Sequence, residues 1–580
     1  MIYGSLDKLG HVFQTDVLVL GGGMAGLWAA LKAARYTRHV MIVDKGPFKR
    51  GGQGSMCGGD MVVWDPEDDM ENWVKELTYY FEGLVEQDVL ECLMKRSLEC
   101  MREYEKMGHR FALDDNGKLR RVCQRGLKHI GSVLSRPFGT GGKSLIQHLV
   151  AELEKTEARL LPGIQITDIL MKDGRFAGLA GFHTRSAEFY VIKAKSLIIA
   201  TGNSSWKASY GTNTCTGESF GMALRAGARL RNFEFLKVWN VPAKFCWEGQ
   251  TMLLPLGARF SNAEGEDFMS RYSPTLGAKL DPHFNTRAMV EEYRAGRAPL
   301  FFDVSQMPEE HVRLLTPTVG WMKINYERLC KMNLDLFRDK VEWMPQVDYA
   351  VGGIDTDIHG RTCIPGVFAA GRARNLEPGL YLGGWAVSGT ATTGSIAGEN
   401  AGQYAASLDY QQEPDYLAVA ELKEKRLEPL GKEGIPYKEV LNEFRKIIAP
   451  YDVTVLKTET GLKRALKRFE EIRGELLPKV GAPTPHFLTK RTELYGIADT
   501  TDLYLHASLL RRESRGSHYR EDYPDKVPAS LGWYIASWKD NGIAWHFRPV
   551  PMETYRHPLT SCYSENFIPL SRQGTRAFCD

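Results

Sequence analysis

Residues 17–44 read VLVLGGGMAGLWAALKAARYTRHVMIVD, and the rest of the chain is organised around them. Val17–Leu20 is a short apolar run of the kind that makes a buried strand. Gly21, Gly23 and Gly26 follow in G-x-G-x-x-G spacing, with Met24 and Ala25 inside the motif. An Ala- and Leu-rich stretch then reads as a helix, and a second apolar run, Val40–Val43, ends on Asp44 and Lys45. This order predicts a βαβ dinucleotide-binding unit. Gly21 permits the turn out of the strand, Gly23 lets backbone N–H groups approach a pyrophosphate, and Gly26 lets the helix lie close to the sheet. The helix N-terminus then presents partial positive charge to the anion, and Asp44 stands where a carboxylate accepts from a ribose hydroxyl. The motif by itself does not say which dinucleotide.

A chain of 580 residues exceeds one ordinary core, so two or three domains are expected. Charged residues make up 25% and the net charge is +3, which gives no bulk electrostatic case for nucleic acid or a membrane surface. The first sixteen residues, MIYGSLDKLGHVFQTD, lack the basic and apolar regions of a secretory signal, so the expected location is cytoplasmic. The apolar stretch from Val17 to Ala34 carries glycines and Lys32, which argues against a membrane span. Ten cysteines are scattered with no C-x-x-C pair, so neither a metal site nor an iron–sulfur cluster is expected. If electrons travel far, another protein must carry the clusters.

After Asp44 the chain continues KGPFKRGGQGSMCGGDMVVW (residues 45–64). Gly51, Gly52, Gly54, Gly58 and Gly59, with Ser55 among them, suit a segment lying flat on a planar ring, touching it with backbone. Here the chain resembles the flavoprotein subunits of fumarate reductase and succinate dehydrogenase and the related α subunit of adenylylsulfate reductase. The resemblance implies FAD. Several relatives bind it through a histidine in this stretch. No histidine occurs between Asp44 and Trp64, so noncovalent FAD is expected. Further FAD contacts implied by the resemblance are Thr201 and Gly202 after an apolar strand, Glu218 in Thr216-Gly217-Glu218, then Gly371 and Arg372. Last come Gly384, Ala386 and Val387, at the start of a helix aimed at the flavin. The implied fold is α/β: a Rossmann-like FAD-binding domain, with an inserted α+β capping domain and a C-terminal helical domain. The expected boundaries are 1–231 and 346–410 for the two parts of the FAD domain, 232–345 for the cap and 411–580 for the tail.

Inside the cap, GARFSNAEGEDFMSRY (257–272) matches the family's N-x-x-G-E-x-F-M stretch, and VWNVPAKF (238–245) looks more like adenylylsulfate reductase. The positions that hold a dicarboxylate in fumarate and succinate enzymes differ. Trp239 and Asp348 stand where relatives place histidines, and Tyr381 where they place an arginine. Exchange of cations for aromatic and acidic groups disfavours a dianion, so fumarate and succinate are not the expected substrates. Lys244 and Arg259 are candidate anion holders or plain surface charges. Tyr381 is either a proton donor beside the flavin or a core tyrosine, with Asp348 the other candidate for the proton. The expected activity is FAD-dependent oxidation or reduction of a small, anionic molecule, with electrons exchanged with a separate iron–sulfur, ferredoxin-like subunit in a hetero-oligomer. The alternatives are an adenylylsulfate-reductase-like sulfur enzyme and a non-catalytic electron-transfer subunit.

Overall fold

The computed structural model describes residues 5–48, 52–136, 141–209, 211–243, 253–309, 320–375 and 379–573. At its centre is a seven-stranded sheet. The strands are β1 (His11–Leu20), β2 (Val40–Asp44), β3 (Arg159–Pro162), β4 (Ile164–Lys172), β5 (Arg175–His183), β6 (Phe189–Ile199) and β7 (Val367–Ala369). Their order is β3-β2-β1-β6-β5-β4, with β7 also paired to β6. Val17–Leu20 pairs in parallel with Val40–Val43 on one side and Ser196–Ile199 on the other. A parallel strand covered on both faces is apolar throughout, which is why these runs stand out in the sequence. One edge of β6 changes partner along its length. Phe189–Lys193 pairs antiparallel with β5, whereas Leu197–Ile199 pairs in parallel with β7. The carboxyl ends of β1, β2, β6 and β7 therefore share one rim, where an open α/β sheet binds ligands.

Four helices bear on that rim: α1 (Met24–Ala33), α2 (Glu218–Arg225), α3 (Trp385–Ala406) and α4 (Pro485–Leu510). Gly394 and Gly398 of α3 face α1 so closely that a Cβ on either would overlap the Ala25 or Ala29 carbonyl oxygen. Gly402 continues the same stripe against Ala33. Small residues four apart let the two backbones approach, so α1 and α3 reach the rim side by side.

Strand Leu236–Pro242 pairs antiparallel with strand Trp343–Ala350. The register slips between Lys237, opposite Tyr349, and Val238, opposite Val347, and leaves Asp348 as the extra residue of a β-bulge. Bulges re-aim side chains. Beyond this pair Phe260, Phe268, Tyr272, Phe284, Phe302 and Trp343 form an apolar core, which Tyr563 and Phe567 of the C-terminal region complete.

The helical expectation for residues 411–580 holds from Tyr416 to Leu510, in helices Tyr416–Leu427, Tyr437–Ile448, Glu459–Glu471 and α4. It does not hold beyond Leu510. Gly532–Lys539 and Gly542–Pro549 form a β-hairpin that pairs with Leu230–Arg231. Asp540 and Asn541 have φ of 49° and 60° at its turn, the left-handed pair that a tight hairpin needs. Asp-Asn-Gly between alternating aromatic residues was the readable signal. Between helix and hairpin, fully buried Arg511 meets Glu234 and Glu513, each at 2.7 Å. A buried ion is tolerated when so paired, and this one fixes Glu234 just ahead of strand Leu236–Pro242. Among the described residues no helix is long and apolar enough to cross a membrane.

Candidate functional site

The three fingerprint glycines play three different parts. Gly21 turns at φ +109°, packed against the Ala200 carbonyl. A Cβ on Gly26 would overlap the Gly21 carbonyl oxygen, so this glycine sets the helix–strand distance and does not face ligand. Gly23 is the N-cap of α1 without a side-chain cap bond, and a Cβ there would meet nothing within 4 Å. The open space beside Gly23 is a cavity of about 330 Å³. The first-turn N–H groups of α1 are thus available to an anion.

The expected cofactor residues divide by this geometry. Gly21, Gly23, Met24, Ala25, Asp44 and Lys45 line the cavity from the βαβ unit. Gly52, Gly54 and Ser55 line it from the Gly-rich segment, and Thr201, Gly202 and Glu218 from the end of β6 and the start of α2. Arg372, Ala386 and Val387 complete it. Four others support from behind. Gly58 and Gly59 pack on Gly141, Gly371 sits against Ala25, and Gly384, at φ +78°, caps α3 against Ser132. Gly51 lies outside the described residues. The sequence reading missed Cys57, Cys215 and the Ile164–Ile166 edge of β4, which also line the cavity. Burial pushes both thiols up to about 11.

Asp44 accepts from the Gly22 and Gly46 N–H groups, each at 2.6 Å, while its burial raises the carboxyl above its ordinary value. Two bonds leave lone pairs on both oxygens for a ribose. Lys45 donates to Thr216, Glu218 and Glu493 at 2.9, 2.7 and 3.1 Å. Glu493, on α4, also holds Lys207 at 2.7 Å and Lys490 at 2.9 Å. Burial opposes the Glu493 charge, but Lys45 and then Lys207 outweigh it and hold the carboxyl below its usual range.

A second constellation surrounds the Asp348 bulge. Asp348 accepts from Thr212 Oγ1 at 3.0 Å and from Trp239 Nε1 at 3.3 Å. The Trp239 and Tyr381 rings meet edge to face with centroids 4.9 Å apart. The Lys237 ammonium lies 3.8 Å from the Tyr381 ring centroid and 4.7 Å from that of Trp239. Behind them Asp281 accepts from the Tyr381 N–H at 3.0 Å, and the His283 ring approaches it at 2.6 Å. The Tyr80 hydroxyl lies 2.6 Å from both Asp281 and the Tyr381 carbonyl. Burial alone would raise Asp281; His283 and then Lys237 hold it below its usual value. Trp239, Asp348 and Tyr381 are therefore together. Arg259 is not with them: it pairs with Asp303 at 2.8 Å on the Arg259–Ser261/Phe301–Asp303 hairpin. Lys244 lies outside the described residues. Reading this pocket as aromatic and acidic left out Lys237, whose i, i+2 relation to Trp239 puts both on one face of the strand.

Rim, glycine turn and cavity define a dinucleotide-binding α/β protein, and the uncapped starts of α1 and α3, reaching one cavity, fit FAD. The chain belongs to the FAD binding domain family, whose model matches residues 16–387; residues 442–563 match the fumarate reductase flavoprotein C-terminal model. It is thus a member of a family of FAD-dependent oxidoreductases. One subunit of the CoM/CoB fumarate reductase of Methanothermobacter marburgensis is 26% identical over 551 residues, 89% of this chain and 96% of that one. Among solved structures, quinol fumarate reductase FrdA of E. coli superposes with a TM-score of 0.83 at 22% identity, covering 93% of this chain and 97% of that one. Adenylylsulfate reductase of Archaeoglobus fulgidus gives 0.77 at 21%, covering 94% and 98%.

Proposed function

We propose that this protein is a flavoprotein subunit that holds FAD noncovalently and oxidises or reduces a small anion other than fumarate or succinate, passing electrons to or from a separate iron–sulfur subunit. The observation that carries the substrate reading is the Lys237–Trp239–Asp348–Tyr381 group. It offers one ammonium between two aromatic faces and a carboxylate alongside. Among the described residues of this group a dianion would find the Lys237 ammonium and a repelling Asp348, whereas a monoanion with a donor group would satisfy both. Support for noncovalent binding comes from the cavity wall. Among its described residues there is no histidine, and its two thiols are neutral at pH 7, hence poor nucleophiles.

When bound, FAD supplies hydride exchange with the substrate. The chain's own groups do the rest. α1 and the Gly23 turn would hold the pyrophosphate. The start of α3, at Ala386 and Val387 on the cavity wall, would turn partial positive charge toward the ring system. Trp239 and Tyr381 exclude water. Lys237 orients the anion, and Asp348 moves a proton through whichever oxygen the substrate meets, Thr212 and Trp239 fixing its rotamer. The Tyr381 hydroxyl is the other proton carrier in reach. The subunit works in a reducing, cytoplasmic compartment; all eight described cysteines are free. The division into residues 1–231, 232–345, 346–410 and 411–580 follows the same reading. The VWNVPAKF stretch favours a sulfur oxyanion as the second reading.

Anaerobic reduction of the flavin, or reoxidation of the reduced form, by a panel of small carboxylates and sulfur oxyanions tests the proposal. A fast response to a monoanion and none to fumarate is expected; turnover with fumarate well above background refutes it. Acid precipitation should leave the flavin in the supernatant.

A further inference from the structure

Helix Pro282–Arg294 starts behind the Asp348 cluster, and its first turn reaches two separate backbones. Asp281 is fully buried and His283 is 6% exposed. Asp281 Oδ1 accepts from the His283 N–H at 2.9 Å, the cap bond, and lies 2.6 Å from Nδ1 of the His283 ring. Asp281 Oδ2 accepts from the Tyr381 N–H at 3.0 Å and from the Tyr80 hydroxyl at 2.6 Å. Tyr80 also reaches the Tyr381 carbonyl, at 2.6 Å. The other ring nitrogen of His283, Nε2, lies 3.1 Å from the Leu236 carbonyl, in the peptide that leads into Lys237.

A carbonyl oxygen only accepts, so Nε2 carries a hydrogen. A neutral imidazole would then turn the Nδ1 lone pair on the Asp281 carboxylate at 2.6 Å. One more proton must therefore lie between ring and carboxyl. The cap N–H, the Tyr381 N–H and the Tyr80 hydroxyl all donate to Asp281, which favours the ionised carboxyl. His283 and then Lys237 hold it below its usual range against burial, with Arg125 weaker than either. The proton thus sits on the ring. Other neighbours leave this balance alone. The Tyr563 hydroxyl takes the Asp281 N–H at 3.2 Å, and Arg287, which shares a small cleft with His283 and Tyr519, pairs with Glu291 at 3.2 Å.

We propose that Asp281 and His283 form a buried carboxylate–imidazolium pair that positions two backbones against each other, Tyr381 through Asp281 and Leu236–Lys237 through His283. Fixing one arrangement out of several is the best-attested use of a buried ion pair. The pair has an electrostatic effect as well. With the imidazolium as its counter-ion, Asp281 does not cancel Lys237, whose ammonium lies 3.8 Å from the Tyr381 ring centroid. That second effect rests on the proposed anionic substrate; the positioning does not.

Three readouts on the flavin-loaded protein test the pair. With ¹⁵N-labelled histidine, the His283 signal is the one lost in His283→Gln. At about pH 8.5, where an ordinary histidine of pKa about 6.5 is neutral, both its nitrogens should carry protons. A singly protonated ring overturns the pair. 3-Fluorotyrosine placed at Tyr381 reads position. Asp281→Asn keeps a good helix cap but turns an amide donor on the Tyr381 N–H, so the fluorine signal should move with flavin content unchanged. An unmoved signal overturns the positioning. Should that variant fail to fold, Tyr80→Phe strips the brace from the Tyr381 carbonyl, and the same signal decides. Acetate, a redox-inert monoanion, is then titrated against the fluorine signal. His283→Gln should weaken acetate binding about 10-fold, since Asp281 then opposes the Lys237 charge. Equal affinity in that variant overturns the electrostatic effect. Wild-type protein that never responds to acetate refutes the anion reading instead, and the histidine and fluorine signals still decide the pair.

Discussion

The cofactor cavity and the cluster around Asp348 are built from opposite materials. The cavity is made of backbone: glycines at fixed spacing, two helix starts without side-chain caps, and one carboxylate pinned by two N–H groups. The pocket is made of side chains brought from distant segments, residues 80, 212, 237–239, 281–283, 348 and 381. Backbone recognition suits a part of the ligand that never changes, the pyrophosphate. Side chains can be exchanged without disturbing the fold, so chemistry can differ between proteins that share the cavity.

That contrast breaks most visibly at Gly23. Gly23→Leu adds bulk where nothing stands within 4 Å, so the fold should survive and the pyrophosphate should be shut out. Purified variant should be colourless, with flavin affinity down by about 100-fold or more, since blocking one anion subsite forfeits several charge-assisted bonds. Stoichiometric flavin in this variant would mean that the cavity is not backbone-built.

In the pocket the loss should appear in rate with flavin content unchanged. Asp348→Asn keeps shape and removes the proton carrier, so substrate-driven flavin reduction should slow by roughly 10²–10⁴-fold, read by stopped flow. Tyr381→Phe is the companion. If it alone slows the step, the proton moves to the Tyr381 hydroxyl and Asp348 keeps only an orienting part. Lys237→Gln should weaken binding of the anion by about 10–100-fold, since charged hydrogen bonds are worth about 1.5–3 kcal/mol, and should appear in KM more than in kcat.

The smallest effect concerns stability. The Glu493 carboxyl is held below its unfolded value by Lys45 and Lys207. A depressed acid contributes stability above its unfolded pKa, about 4.3, and loses it as pH falls from there toward the folded value. Wild-type Tm should drop on acidification below about pH 4.3, and Glu493→Gln should flatten that slope while lowering Tm at neutral pH. An unchanged slope would detach the lysine cluster from the stability of the cavity.

The same contrast explains what could be read in advance. Gly21, Gly23 and Gly26 are legible because only glycine fits the turn, the open approach and the helix contact, and the spacing follows from strand and helix geometry. Trp239, Asp348 and Tyr381 were found only through resemblance, as departures from a family pattern. Lys237 was passed over because a lysine in an apolar strand gives no local sign of the two rings that meet it. Asp281-Pro282-His283 reads as an ordinary helix start, which it is: Asp281 caps helix Pro282–Arg294. Its second task, holding Tyr381 from 100 residues away, leaves no local mark. The bulge at Asp348 is invisible for the same reason, since a register slip belongs to two strands at once. The C-terminal hairpin is a different case, for its turn residues were in plain sight.

The bond between Lys45 and Glu493 spans 448 residues. On the ribosome the βαβ unit emerges well before α4, so Lys45 gains its full set of partners only once Glu493 has been made. At roughly 5–20 residues per second the interval is about 20–90 s. Until then Lys45 has, among the described residues, only Thr216 and Glu218 as partners, once they too have emerged, so the Lys45–Glu493–Lys207 cluster beside the cavity is completed long after the fingerprint glycines are made.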